Sequence, residues 1–168
     1  MVTEINHSVL DAYFKQIAAN FKGIKDYFRM DLTEIQGAFR SSADFPCLLA
    51  ESHDGDLGDS SIQQTINNRT FAFTVYFKPE KDDYDDQNLK LTQSEIFGFK
   101  IIARMKHDAT IKGHFLHNHF KAETVKNHKV GPIFKEKLYG YRFTGEIKAH
   151  QPLIVDPNDW EDTPTICQ

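Results

Sequence analysis

Phe71-Ala-Phe-Thr-Val-Tyr-Phe77 is the stretch that decides the fold. Its residues alternate: Phe71, Phe73, Val75 and Phe77 fall on one side of an extended chain, and Ala72, Thr74 and Tyr76 on the other. Successive side chains of a strand point to opposite faces, and aromatic and β-branched residues suit a half-buried pleated surface. The pattern therefore predicts a strand with one heavily apolar face. Just upstream, Asn67-Asn68 offers a turn between residues 62–66 and 70–78, and one long strand with a bulge fits the same residues. Residues 138–149 repeat the alternation, with Tyr139, Tyr141, Phe143, Gly145 and Ile147 on one side. Gly140 and Gly145 suggest a bend or bulge there.

Helical periods lie to either side. Leu10, Tyr13, Phe14, Ile17, Ala18 and Phe21 form one apolar stripe, with Asn6 or Ser8 to cap it and Gly23 to stop it. A shorter turn is expected over 31–40 from Leu32, Ile35 and Phe39, capped by Asp31 and weakened by Gly37. A second main helix is expected from Thr92, where Thr92 and Glu95 make a capping-box pair, to about Asp108. Gly98 inside it is unfavourable for a helix and marks close packing against a sheet.

Residues 45–51 read as a short buried strand and 52–61 as a loop on composition. Residues 79–87 read as an acidic loop, 115–126 as a weak strand, and 129–134 as a loop around Gly131-Pro132. From Gln151 onward Pro152, Pro157 and Pro164 punctuate an extended C-terminal arm. The order predicts an α+β fold: a mainly antiparallel sheet of four to five strands packed by two main helices. Residues 1–150 form the single domain and 151–168 the arm.

At 168 residues, with fourteen Phe, six Tyr and one Trp, the chain has ample material for one core. A formal net charge of −4 argues against a general nucleic-acid binder, although residues 121–148 hold seven Lys or Arg against three Glu. The opening residues lack a leader pattern, and no run approaches the roughly 18 apolar residues of a membrane span. Cytoplasmic folding, without a membrane partner, is the expectation. Cys47, in Phe45-Pro-Cys-Leu-Leu-Ala50, reads as a buried, inert thiol, and Cys167, one residue from the end, as a loose one; a single disulfide between the two is the alternative, and nothing resembles a secreted disulfide framework.

Few groups suggest chemistry. His114, His117 and His119 have spacings at which imidazoles can share a metal, but no carboxylate ligand is defined beside them, and surface or partly packed histidines are the preferred reading. Asp54-Gly-Asp-Leu-Gly-Asp59 resembles a calcium loop in its alternate carboxylates, yet its glycine is misplaced and Thr65 stands where a closing Glu belongs. Asp82, Asp83, Asp85 and Asp86 read as a solvated, self-repelling run. There is no nucleophile elbow, phosphate-cradling loop or dinucleotide fingerprint. No enzyme activity, cofactor or metal is expected; a metal-dependent enzyme built on the three histidines and a small protein-binding adaptor are the alternatives.

Taken together, the first amphipathic helix, the Phe45-Pro-Cys-Leu-Leu strand, the Phe71–Phe77 strand, the central helix and the pair Val130-Gly-Pro-Ile-Phe134 and Leu138-Tyr-Gly-Tyr-Arg-Phe143 resemble phage tail-terminator (tail-completion) proteins, in versions seen in prophages of Bacteroides-like bacteria. The resemblance covers residues 5–149 and carries over no individual functional residue. It implies a virion structural protein: a small subunit forming a homo-oligomeric ring, a hexamer being one candidate size, at the end of the tail tube. Such a ring stops tube growth and meets connector proteins on the head side, first in the host cytoplasm and then in the virion, with no sequence-specific nucleic-acid contact. Asp56, Asp82, Asp83, Asp85, Asp86 and Trp160 are the expected subunit contacts. Trp160, on the arm, either docks into a neighbour or, with Leu153, Ile154 and Val155, covers the chain's own sheet edge.

Overall fold

The long strands β4 (Gln64–Phe77) and β6 (Leu138–His150) form the spine of a six-stranded sheet. They pair antiparallel without interruption from Ile66 opposite His150 to Phe77 opposite Tyr139 in the computed structural model, which describes residues 5–29, 43–51, 54–61, 64–133, 137–151, 153 and 155–162. β5 (Lys126–Ile133) flanks β6 antiparallel. On the other side of β4 lie β2 (Cys47–Ala50), against Phe73–Tyr76, and β3 (Asp54–Ser61), against Gln64–Thr70. β1 (Asp26–Arg29) adds to β2 as the parallel pair of an otherwise antiparallel sheet. The α+β class is as expected, with six strands.

Two helices cover one face. α1 (His7–Asn20) starts at Asn6, whose side chain accepts the Val9 amide, and buries Leu10, Tyr13, Phe14, Ile17 and Ala18 of the expected stripe, while Phe21, just past the helix end, is half-buried. α2 (Tyr84–Asp108) buries Leu91, Ser94, Gly98, Ile101, Ile102 and Met105. Together they close over Leu48, Ala50, Phe71, Phe73, Val75, Phe77, Phe143 and Ile147, with the Phe73 and Phe143 rings stacked at 5.3 Å. The opposite face carries a smaller cluster of Cys47, Leu49, Tyr76 and Leu138. Beside it, Arg142 reaches across β4 to hold Glu51 through two hydrogen bonds, of 2.5 and 2.6 Å. Among the described residues, no helix is long and apolar enough to cross a membrane.

The closest link between the layers is Ser94. Its hydroxyl donates to the Val75 carbonyl and accepts the Tyr141 amide, both at 2.7 Å, and these two residues face each other across β4 and β6. One turn on, a Cβ on Gly98 would overlap the Phe143 ring. The Ser-to-Gly pair at i and i+4 thus sets how near α2 lies to the sheet, as Gly98 suggested.

Several local expectations are corrected. Of the expected loop over 52–61, residues 54–61 form β3 instead, because β4 supplies a ladder that polar composition does not reveal. Asn67 and Asn68 lie inside β4, opposite Leu57 and Asp56, so no turn falls there. α2 begins at Tyr84 rather than Thr92; Asp83 caps it by accepting the Asp86 amide, and Asp85 and Asp86 sit at the positive end of the helix dipole. Thr92 is interior, with its hydroxyl bonded to the Asn88 carbonyl. Residues 115–126 are turns and a 3-10 helix (Ala122–Thr124), touching the sheet by one bridge from Phe120 to Ile147. Residues 129–133 belong to β5, which accommodates Gly131-Pro132 by a register shift between Val130 and Ile133, with Gly131 at φ 116°. β6 is unbroken at Gly140 and Gly145, where the Val75 carbonyl and the Phe71 ring occupy the space a side chain would need. The described part of the arm contains a 3-10 turn, Pro157–Asp159. The expected turn at 31–40 and Cys167 lie outside the described residues, as does Ile154.

Two substitutions test the layer spacing. Ser94→Ala strips the hydroxyl from the buried Val75 carbonyl and the part-buried Tyr141 amide, and an unsatisfied buried group costs about 1–3 kcal/mol. Gly98→Ala would gain about 1 kcal/mol from helix propensity alone, whereas overpacking on Phe143 costs about 1–3 kcal/mol. Both variants are expected to unfold at lower denaturant concentration; a stabilised Gly98→Ala would contradict the close approach.

Candidate functional site

A cleft lies between the two helices. α1 lines it with Tyr13, Gln16, Ile17 and Asn20, which recur at helical spacing, and α2 opposes them with Lys100, Ile101, Arg104 and Asp108. Phe21, Ile111 and His114 complete a cleft of about 310 Å³, near the lower end of the roughly 300–1,000 Å³ typical of ligand pockets.

Its inner wall is a tight polar network. Asp108, only 2 % exposed, accepts the Tyr13 hydroxyl at 2.8 Å and the Arg104 Nε at 2.8 and 2.9 Å. A carboxylate at the end of a helix meets the wrong pole of the helix dipole; here the guanidinium and the phenol offset that cost and tie α2 to α1. Burial, reinforced by the hydrogen bond to Asp108, pushes the Tyr13 phenol well above its ordinary range. The phenol therefore stays protonated, and the carboxylate is committed to two donors. The network braces the cleft and offers no activated nucleophile or base. At the outer wall, Lys100 lies 5.8 Å from the Phe97 ring centre and Arg104 keeps more than half its side chain exposed, so the accessible charge is positive.

The histidines do different things. His114 Nδ1 accepts the Leu116 amide while its ring stacks on Phe115 at 4.9 Å. His117 Nδ1 donates to the Ala109 carbonyl and His119 Nδ1 to the Lys148 carbonyl. Among the described residues, no three His, Cys, Asp or Glu side chains converge as metal ligands. Cys47 is fully buried, and burial, then the nearby Asp26 charge, pushes its thiol up to about 12.

The expected contact residues separate into different surfaces. Asp83 and Asp86 are engaged at the start of α2, where Asp86 also accepts the Glu80 amide and pairs with Lys90 at 3.5 Å. Asp82 faces Lys137 at 3.7 Å, both exposed, and Asp85 sits in the first helical turn. Trp160 stands 57 % exposed at the other end of the chain. Asp56 lies on β3 and accepts a hydrogen bond from the Asn68 side-chain Nδ2 at 3.3 Å.

β3 and β5 are the sequence's missed surfaces. Among the described residues β3 pairs with β4 alone and β5 with β6 alone, which leaves open edges on opposite sides of the sheet. β3 carries Asp54, Asp56 and Asp59 and no base; β5 carries Lys126, Lys129 and His128 and no acid. Asp54 and Asp56, at alternate positions, stand about 7 Å apart along the strand. On α2, exposed Leu89 and Ile96 lie seven residues apart, on the side away from the buried stripe. Neither a protein-family model nor a curated protein sequence matches the chain.

The buried phenols and thiol set an alkaline limit. Burial raises Tyr13 above its ordinary range, and Cys47 and Tyr76 to about 12. In the unfolded chain a thiol ionises near 8.5 and a phenol near 10. The folded values are raised, so this stabilisation is complete below about pH 8.5 and is lost as the pH climbs through about 12. The denaturation midpoint is expected to fall between about pH 9 and 11, with a shallower fall in Tyr13→Phe. A midpoint flat across that range would contradict the buried, neutral assignment.

Proposed function

We propose that the chain is a structural subunit that joins copies of itself head to tail into a closed ring, as a tail-terminator protein does at the end of a phage tail tube. The observation that carries this reading is the opposite charge of the two open sheet edges, β3 acidic and β5 basic. Like edges repel, which disfavours symmetric pairing of β3 with β3 or β5 with β5. Unlike edges attract, and a contact between two different surfaces of the same chain propagates until rotation closes it into a ring. Exposed ion pairs alone add little affinity, about 0–1 kcal/mol each. Leu89 and Ile96 on the outer side of α2 supply apolar area for a neighbour or for the tube. Helices on one face and a firm two-strand spine suit a rigid ring segment. Residence in the virion and contact with the head-side connector follow from the same reading.

Charge reversal tests it. Light scattering on the full chain is expected to give a particle of several subunits that dissociates with rising salt. Lys126→Glu with Lys129→Glu is expected to lower the assembled fraction at least tenfold, and adding Asp54→Lys with Asp56→Lys to restore it. A native chain that stays single at high concentration and does not bind tail tubes would overturn the reading, as would assembly indifferent to the reversal.

A further inference from the structure

We infer that residues 155–162 of one copy dock in the cleft between α1 and α2 of a neighbouring copy, with Trp160 as the anchor. The identity of the neighbour rests on the self-assembly proposed above. The occupant is argued from charge and shape. The segment reads Val155-Asp-Pro-Asn-Asp-Trp-Glu-Asp162, with four carboxylates and no base. Its described residues lie exposed on their own chain, Trp160 among them, so the segment does not cover its own sheet edge. It also has some structure before docking: the 3-10 turn Pro157–Asp159 is held by Asp156, which accepts the Asn158 amide at 2.9 Å, and that order lowers the entropy lost on binding.

The cleft answers each feature. Ile17, Phe21 and Ile101 give an apolar floor for an indole, and Gln16 or Asn20 an amide oxygen for its N–H. Asp108 is buried and engaged by Tyr13 and Arg104, so it does not repel an acidic visitor, while Lys100 and Arg104 stand at the rim to meet Asp159, Glu161 or Asp162. The cleft of about 310 Å³ has room for an indole between an apolar floor and a charged rim, the arrangement of an interface anchored on a buried aromatic with a polar surround. Edge pairing would then set the order of subunits in the ring, and the exchanged segment would fasten each to the next.

A mixture of isotopically heavy and light full-length chains, treated with a zero-length carboxyl-to-amine cross-linker, tests this. The expected product joins Lys100 of one label to Asp159, Glu161 or Asp162 of the other, and falls at least tenfold in Trp160→Ala. Since Trp160 is the sole tryptophan, its emission is expected to shift to the blue as chain concentration rises, and not in Ile17→Asp. Cross-links confined to chains of one label place the segment in its own cleft and overturn the exchange. Assembled particles without these cross-links overturn the docking and leave the ring standing; cross-linked pairs that never close leave the docking standing and remove the ring.

Discussion

The Ser94 hydroxyl, set between the Val75 carbonyl and the Tyr141 amide, is the contact on which the architecture turns. A helix side chain that bonds directly to both strands of the central ladder fixes the register of helix on sheet and the distance between them. That distance admits no side chain at Gly98, so the Phe143 ring packs against the helix backbone and stacks on Phe73. Phe73 in turn meets Phe14 of α1 at 5.6 Å, and the core thereby joins both helices to one strand pair. The position of α2 carries Arg104 and Asp108 to Tyr13, which forms the inter-helix cleft as a consequence of how α2 is seated.

With the interior so arranged, the surface is free to differ from side to side. The short β2 and the open β3 share one flank of β4, while β5 lies beyond β6 on the other. Exposed strand edges invite association, and proteins commonly protect them with charge. Here the two edges carry opposite charge, which discourages like-to-like pairing and permits pairing with the other kind. The acidic segment at residues 155–162 and the cationic rim of the cleft repeat that complementarity at a second place.

How much of this was legible in the sequence depended on whether the deciding force was local. The Phe71–Phe77 alternation and the stripe from Leu10 to Ala18 are set by neighbours in sequence and are legible there, whereas the sequence leaves the cap open between Asn6 and Ser8 and the structure assigns it to Asn6. Gly98 was also legible, because a costly residue in a helix asks for a packing reason. β3 was not, since Asp-Gly-Asp-Leu-Gly-Asp-Ser-Ser becomes a strand through the ladder that β4 offers rather than through its own burial. The start of α2 was misplaced because an aspartate run reads as a solvated loop until its carboxylates are seen to serve a helix N-terminus. The Tyr13–Asp108 bond joins residues 95 positions apart and leaves no local trace beyond an acid at a helix end. The opposite charge of the β3 and β5 edges became visible only once the sheet order was known.

The most direct test of the account is imaging of the purified full-length chain, alone and with tail tubes, by electron cryomicroscopy. The account predicts closed rings of one size in which β3 of each subunit faces β5 of the next. Single chains, or two-fold dimers with like edges together, would contradict it.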